Sequence, residues 1–158
     1  MSQSLSPLLE RAIAIAEQQH AGQVDKAGRP YIEHPKRLMR AMSTDAERIV
    51  AVLHDVVEDT DLTLDQLASE GFPVNILAAL DSVTRREGET YEAFVARAAN
   101  NTIGRRVKHA DLQDNADLSR IAAPTDADRA RTEKYQRAMA QLDAAKAQSM
   151  IGLTRLDD

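Results

Sequence analysis

The chain has 158 residues, with 20 basic against 25 acidic side chains for a net charge of −5, and no cysteine. That length makes one domain, residues 1–158, the default, and lets about 68–70% of the unfolded surface be buried without covalent staples. Disulfides, thiol nucleophiles and thiolate zinc sites are excluded, and the acidic balance gives no sequence-wide attraction for a phosphate backbone, so no nucleic-acid partner is expected. Apolar residues make up 43% of the chain; 26 of them are alanines, 17 are Val or Ile, and only five are aromatic. Alanine favours helices while sheets favour β-branched and aromatic residues, so the expected fold is an all-α bundle of about seven or eight helices. Met1 to Glu10 has no basic segment leading into an apolar one, and no run approaches the roughly 18–20 apolar residues of a membrane span. A cytoplasmic protein without a membrane partner is the expectation.

Ser6-Pro7 opens a first helix, with a hydroxyl N-cap and proline in the first turn. Gly22 to Pro30 reads as a loop. A short helix is expected to start at Pro35, with His34 held out of helical geometry by the proline after it. Asp45 is the expected cap of a third helix through Ile49, Val50, Val52, Leu53, Val56 and Val57, the most apolar segment. Thr63 to Gln66 has the form of a capping box. Gly71-Phe72-Pro73 separates that helix from one over about Val74 to Val83. Beyond the charged loop Thr84 to Glu89, Thr90 caps a helix to about Asn100, and Thr102 another to about Leu118. Pro124-Thr125-Asp126 starts a last helix to about Ser149, and residues 150–158 read as a tail outside a core of about 7–149.

The segment richest in chemistry is His54-Asp55-Val56-Val57-Glu58-Asp59-Thr60. On one helix, His54 and Glu58 are four apart, as are Asp55 and Asp59, so the polar groups share a region while the valines turn to the core. An imidazole and carboxylates at the end of an apolar helix are costly to bury unpaired. Two readings stand: a divalent cation, or a solvated acidic helix end continuing into Asp61. His34, between Pro30 and Pro35, and Asp111, in the Val107 to Asn115 segment, extend the first reading to two imidazoles and two carboxylates around one ion. Without a thiolate the set suits Mn²⁺, Fe²⁺, Zn²⁺ or, less easily, Mg²⁺, and a six-coordinate ion keeps positions for water and substrate.

From about Ala14 to Ala138 the chain resembles the HD-domain phosphohydrolases, and within them the hydrolase domain of RelA/SpoT-type alarmone enzymes and the small stand-alone alarmone hydrolases. The anchors are His20-Ala21-Gly22-Gln23, Gly28 to Pro35, His54 to Thr60 and Val107 to Asn115, with a weaker one in Asp117 to Arg120 followed by Lys134-Tyr135. The resemblance implies His34, His54, Asp55 and Asp111 as ligands of one divalent metal, Mn²⁺ in the first place. It implies Glu58 and Asp59 as the pair that activates water, Asn115 as a substrate contact and Tyr135 as a residue near the nucleoside. The implied reaction removes the 3′-pyrophosphate of a (p)ppGpp- or (p)ppApp-like nucleotide. The alternatives are a broader nucleotide phosphohydrolase, for instance on nucleoside monophosphates, and a catalytically idle nucleotide-binding module.

One departure concerns the base. Family members acting on guanosine alarmones carry an arginine in the first loop that stacks on it; here Asp25 stands at about that place, and a carboxylate offers neither the plane nor the charge. Lys26 or Arg29 is the expected substitute, which brings adenine-based analogues into consideration. Lys108, three residues before Asp111, is the expected phosphate contact among Arg105, Arg106 and Lys108. His20 is expected to end the first helix in a structural role, His109 to face away from Asp111, and Lys36, Arg37 and Arg40 to be surface charge. The alanine-rich last helix reads as core packing or the seam of a homodimer.

Overall fold

The most apolar stretch of the sequence becomes the axis of the fold. In the computed structural model, which describes residues 6–154, the Ile49–Leu53 stretch is at most 2% exposed. The described residues form nine helices: α1 (Pro7–Gln19), α2 (Glu33–Ala41), α3 (Asp45–Leu53), α4 (Val56–Asp59), α5 (Leu64–Ser69), α6 (Val74–Ser82), α7 (Tyr91–Ala99), α8 (Thr102–Ala116) and α9 (Asp126–Thr154). Helix α3 is packed by α1, α2, α6 and α8, which buries it from Ile49 to Leu53. Each fully buried Val, Leu or Ile there contributes about 1.5–3 kcal/mol relative to exposure. A smaller cluster of Val95, Ala99, Leu112, Ala138 and Leu142 joins α7, α8 and α9. Among the described residues no strand forms, and no helix is long and apolar enough to cross a membrane.

The helix starts follow local chemistry. Ser6 accepts from the Leu9 N–H with Pro7 in the first turn, Thr63 and Gln66 form a reciprocal capping box, and Thr90 accepts from the Ala93 N–H. Three boundaries differ from expectation. Thr44, not Asp45, caps α3, because its hydroxyl accepts the Glu47 N–H while Glu47 reaches back to the Thr44 N–H. Asn101, not Thr102, caps α8 by accepting from the Gly104 N–H. Helix α2 includes His34, since first-turn N–H groups need no helical partner and Pro35 is tolerated there. Helix α9 runs past Ser149 to Thr154: its alanine-rich turns carry it through Gly152, whose cost is about 1 kcal/mol. The rest of the expected tail, residues 155–158, lies outside the described residues, as do residues 1–5.

The segment expected as one helix through Val57 divides in two. Helix α3 ends at Leu53, His54 and Asp55 form a turn, and α4 is a single turn after it, which accounts for one more helix than expected.

Helices α6 and α8 meet at Gly104, where a Cβ would lie 1.9 Å from Ser82 Oγ and 3.2 Å from Ser82 Cβ. The Ser82 hydroxyl is buried and donates to the Ala79 carbonyl at 2.6 Å. The α6–α7 loop is tied down by Arg97, which donates to the Asp81 and Thr84 carbonyls at 2.6 Å each and to both Glu89 carboxylate oxygens at 2.9 Å.

Each contact makes a prediction. Gly104→Ala gains about 1 kcal/mol of helix propensity but overpacks the junction at about 1–3 kcal/mol, so Tm should fall and Ser82→Ala should recover most of the loss; a raised Tm for Gly104→Ala contradicts the packing. The hydrogen bonds from Arg97 hold the Glu89 carboxyl down to about 2. A carboxylate lowered on folding stabilises above its unfolded value and loses that contribution as pH falls through the folded one. In urea unfolding between pH 5 and 2, Glu89→Gln should therefore show a shallower acid loss than wild type; parallel curves contradict the pairing.

Candidate metal centre

Three elements converge on one point. Helix α2 brings His34, the turn after α3 brings His54 and Asp55, and α8 brings Asp111; each of these helices packs on the other two. His34 Nε2 lies 3.0 Å from Asp111 Oδ1 and 4.0 Å from Asp55 Oδ2. His54 Nε2 lies 3.0 Å from Asp55 Oδ2 and 3.4 Å from Asp111 Oδ1. His34, His54 and Asp111 are 5%, 3% and 6% exposed. Donors about 2.1 Å from one ion are about 3.0 Å apart at right angles and somewhat more at wider angles, so these spacings are those of ligands sharing a cation.

The turn at His54-Asp55 is what aims both side chains inward. A continuous helix would set neighbours about 100° apart; the break lets His54 Nε2 and Asp55 Oδ2 face one another. Each imidazole is anchored through its other nitrogen. His54 Nδ1 donates to the Ala51 carbonyl at 2.7 Å, and His34 Nδ1 donates to Asp114 Oδ2 at 2.6 Å. Both Nε2 atoms therefore point at the centre, and that of His54 is buried without a hydrogen-bond partner. A buried nitrogen left in this way costs free energy unless something else takes its lone pair, so the donor set fits a divalent cation. Tyr31 OH donates to Asp55 Oδ2, and Asp111 accepts from Lys108 Nζ at 3.1 Å and Asn115 Nδ2 at 3.0 Å.

Electrostatics follow the packing. Burial favours the neutral forms of His34 and His54, yet the facing carboxylates outweigh it and raise both imidazoles above their ordinary range. Burial likewise opposes ionisation of Asp111, and Lys108 with the two imidazoles holds it well below the usual carboxylate range. Protonated imidazoles here neutralise carboxylates, a role equally open to a bound cation. Glu58 and Asp59, on α4, are exposed at the rim. Burial of part of each carboxyl, then the charge of Asp55, pushes both up.

Beside His34 opens a cavity of about 320 Å³ lined by Lys26, Tyr31, Asn115 and Tyr135 among others. Arg29 does not line it: its guanidinium is 67% exposed and 4.0 Å from Glu33. Nor does Lys108, whose ammonium is engaged by Asp111. Asp25 is occupied in its own loop, accepting the Ala27 and Arg29 N–H groups at 2.9 and 3.0 Å, with Gly28 at φ +79° completing the turn. His20 ends α1 with Nδ1 2.9 Å from Gln23 Oε1, and His109 lies 3.3 Å from Asp143. Arg37, expected as surface charge, instead makes a two-pronged pair with Asp114 at 2.9 Å per bond. Asp114 and Tyr31 add to the residues expected from the sequence; the signal for Asp114 is its place one turn after Asp111 on the same helix face.

No protein-family model matches the chain. Among curated proteins, a probable GTP pyrophosphokinase of Mycobacterium leprae is 33% identical over 129 residues, 74% of this chain and 16% of that protein. A guanosine-3′,5′-bis(diphosphate) 3′-pyrophosphohydrolase of Aquifex aeolicus is 29% identical over 119 residues, 68% of this chain and 17% of that protein. The chain thus spans less than a fifth of the length of these relatives. Among solved structures, a metazoan ortholog of SpoT that hydrolyzes ppGpp superposes with a TM-score of 0.67 at 19% identity, over 94% of this chain and 98% of that one. The chain is a relative of the RelA/SpoT-type enzymes and carries the all-helical fold of an HD-type hydrolase domain.

Proposed function

We propose that the chain is a metal-dependent pyrophosphohydrolase that removes the 3′-pyrophosphate from an alarmone nucleotide of the (p)ppGpp or (p)ppApp kind. The observation that carries this reading is the convergence of His34 Nε2 and His54 Nε2 on the carboxylates of Asp55 and Asp111, with imidazole-to-carboxylate separations of 3.0–4.0 Å. The sequence likeness to a 3′-pyrophosphohydrolase gives it a substrate class. These four side chains would hold one divalent cation. With no thiolate in the set Mn²⁺ is our first choice, and when bound it would polarise a phosphoryl oxygen and lower the pKa of a bound water.

The remaining steps belong to the chain's own groups. Glu58 and Asp59 are carboxylates made more basic by partial burial and by Asp55, which suits them to accept a proton from the attacking water. The water oxygen forms a bond to the phosphorus nearest the ribose as the bond from that phosphorus to the 3′-oxygen breaks. The departing 3′-oxygen takes up a proton, leaving a nucleotide with a free 3′-hydroxyl and inorganic pyrophosphate. The cavity beside His34 takes the nucleoside, with Tyr135 and Asn115 on its wall. Because Asp25 is engaged by backbone N–H groups and Arg29 points to Glu33, the base is held without an arginine plane from the first loop.

Mn²⁺-loaded protein should release pyrophosphate from guanosine or adenosine 3′-pyrophosphates and leave nucleoside monophosphates intact. Turnover of neither 3′-pyrophosphate would sink the reading, and orthophosphate release from monophosphates would replace it with a broader phosphohydrolase. Glu58→Gln should keep Mn²⁺ and nucleotide affinity while losing about 10²–10⁴-fold in kcat; unchanged kcat removes Glu58 from the reaction.

A further inference from the structure

The two imidazoles of the centre are not anchored alike. His54 Nδ1 donates to a neutral backbone carbonyl, that of Ala51, at 2.7 Å. His34 Nδ1 donates to a carboxylate, Asp114 Oδ2, at 2.6 Å. A neutral imidazole carries one N–H, and keeping it on Nδ1 leaves the Nε2 lone pair facing the centre. A carboxylate partner also makes that nitrogen a stronger donor to a cation than a carbonyl partner does.

Asp114 is itself fixed from two further directions. Arg37 Nε donates to its Oδ1 and Arg37 Nη2 to its Oδ2, both at 2.9 Å. Arg120 Nη2 donates to the Asp114 backbone carbonyl at 2.9 Å and lies 3.4 Å from its carboxylate. The Asp114 side chain is 14% exposed, so little solvent competes for these bonds. Against the opposing effect of burial, His34 and Arg37 hold its carboxyl well below the usual carboxylate range. Two guanidiniums sharing one carboxylate limit the negative charge it lends to His34. They also leave it no freedom to turn away, so its contribution is chiefly directional.

Helix α8 adds a geometric consequence. Asp111 and Asp114 are three residues apart and lie on one face, so the helix that presents Asp111 to the centre also presents the group that orients His34 from α2. The register between α2 and α8 therefore sets two of the four donors together. Arg37, three residues after His34 on α2, closes the same pairing from the other side.

We propose that Asp114 is the positioning residue for His34, held to that task by Arg37 and Arg120, and that it sets the affinity of the centre for its cation. This rests on the reading of His34 as a metal ligand. It assigns no chemical step to Asp114.

The test is calorimetric titration of the full chain with Mn²⁺, with thermal unfolding of the same metal-free samples. Removing such an outer partner typically weakens metal binding about 10–100-fold, and Asp114→Ala should fall in that range. Asp114→Asn keeps an oxygen that can accept the Nδ1 proton, and should lose less affinity than Asp114→Ala. Arg37→Gln touches neither His34 nor the other donors and should weaken binding by a smaller but measurable factor. Should Asp114→Ala fail to fold, Asp114→Asn and Arg37→Gln carry the comparison. Lowered metal-free Tm with Mn²⁺ affinity within twofold of wild type in all folded variants overturns the inference and leaves a structural role only. Wild-type protein that binds no Mn²⁺ overturns the metal reading itself, an outcome distinct from equal binding by wild type and variants.

Discussion

Two imidazoles and two carboxylates meet inside an alanine-rich helical core, and the rest of the molecule is arranged around that meeting. Placing charged or hydrogen-bonding groups there costs several kcal/mol per ion unless partners and geometry offset it. The offset is visible at each donor: Ala51 for His54, Asp114 for His34, Tyr31 for Asp55, and Lys108 with Asn115 for Asp111. Ala51, Lys108 and Asn115 lie within about one turn of the group they support, whereas Asp114 and Tyr31 reach theirs from other parts of the chain. The four side chains themselves come from α2, the turn after α3 and α8, so they meet only when the bundle has assembled. The buried α3 supplies the fixed axis that makes such assembly reproducible.

The region divides by exposure. His34, His54 and Asp111 are buried and Asp55 is half-buried, the setting that the preorganised cation site we propose requires. Glu58 and Asp59, which we assign to proton transfer, stand at the exposed rim, where water reaches them. The adjoining cavity is walled by loop and helix residues of both charges, many already paired with one another. On our proposal, recognition of a nucleotide there rests on a few lining groups, Lys26, Tyr135 and Asn115 among them, more than on a broad cationic field. With only five aromatic side chains in the sequence, Tyr135 is the group we assign to stacking on the base.

Much of this was legible in the chain. Helix starts with a side-chain cap within three residues, as at Ser6, Thr63 and Thr90, could be read because the determining atoms are local. His34, His54, Asp55 and Asp111 could be grouped because a set of imidazoles and carboxylates in apolar surroundings needs a partner. The break after Leu53 was not legible: Val56 and Val57 continue an apolar helical pattern, and no proline or glycine marks the turn at His54 and Asp55. Asp114 and Arg37 were hidden for a similar reason. Each looks like ordinary surface charge on its own helix, and their pairing across 77 residues exists only in the packed molecule. Asp25 shows the converse: its departure from the expected arginine was visible, but its engagement by the Ala27 and Arg29 N–H groups was not.

The central claim is that four side chains hold one cation. The most direct measurement is anomalous diffraction at the manganese edge from crystals grown with Mn²⁺. The expected result is a peak within bonding distance of Nε2 of His34 and of His54 and of the carboxylates of Asp55 and Asp111. A peak elsewhere, or one that leaves His34 or Asp111 uncoordinated, contradicts it.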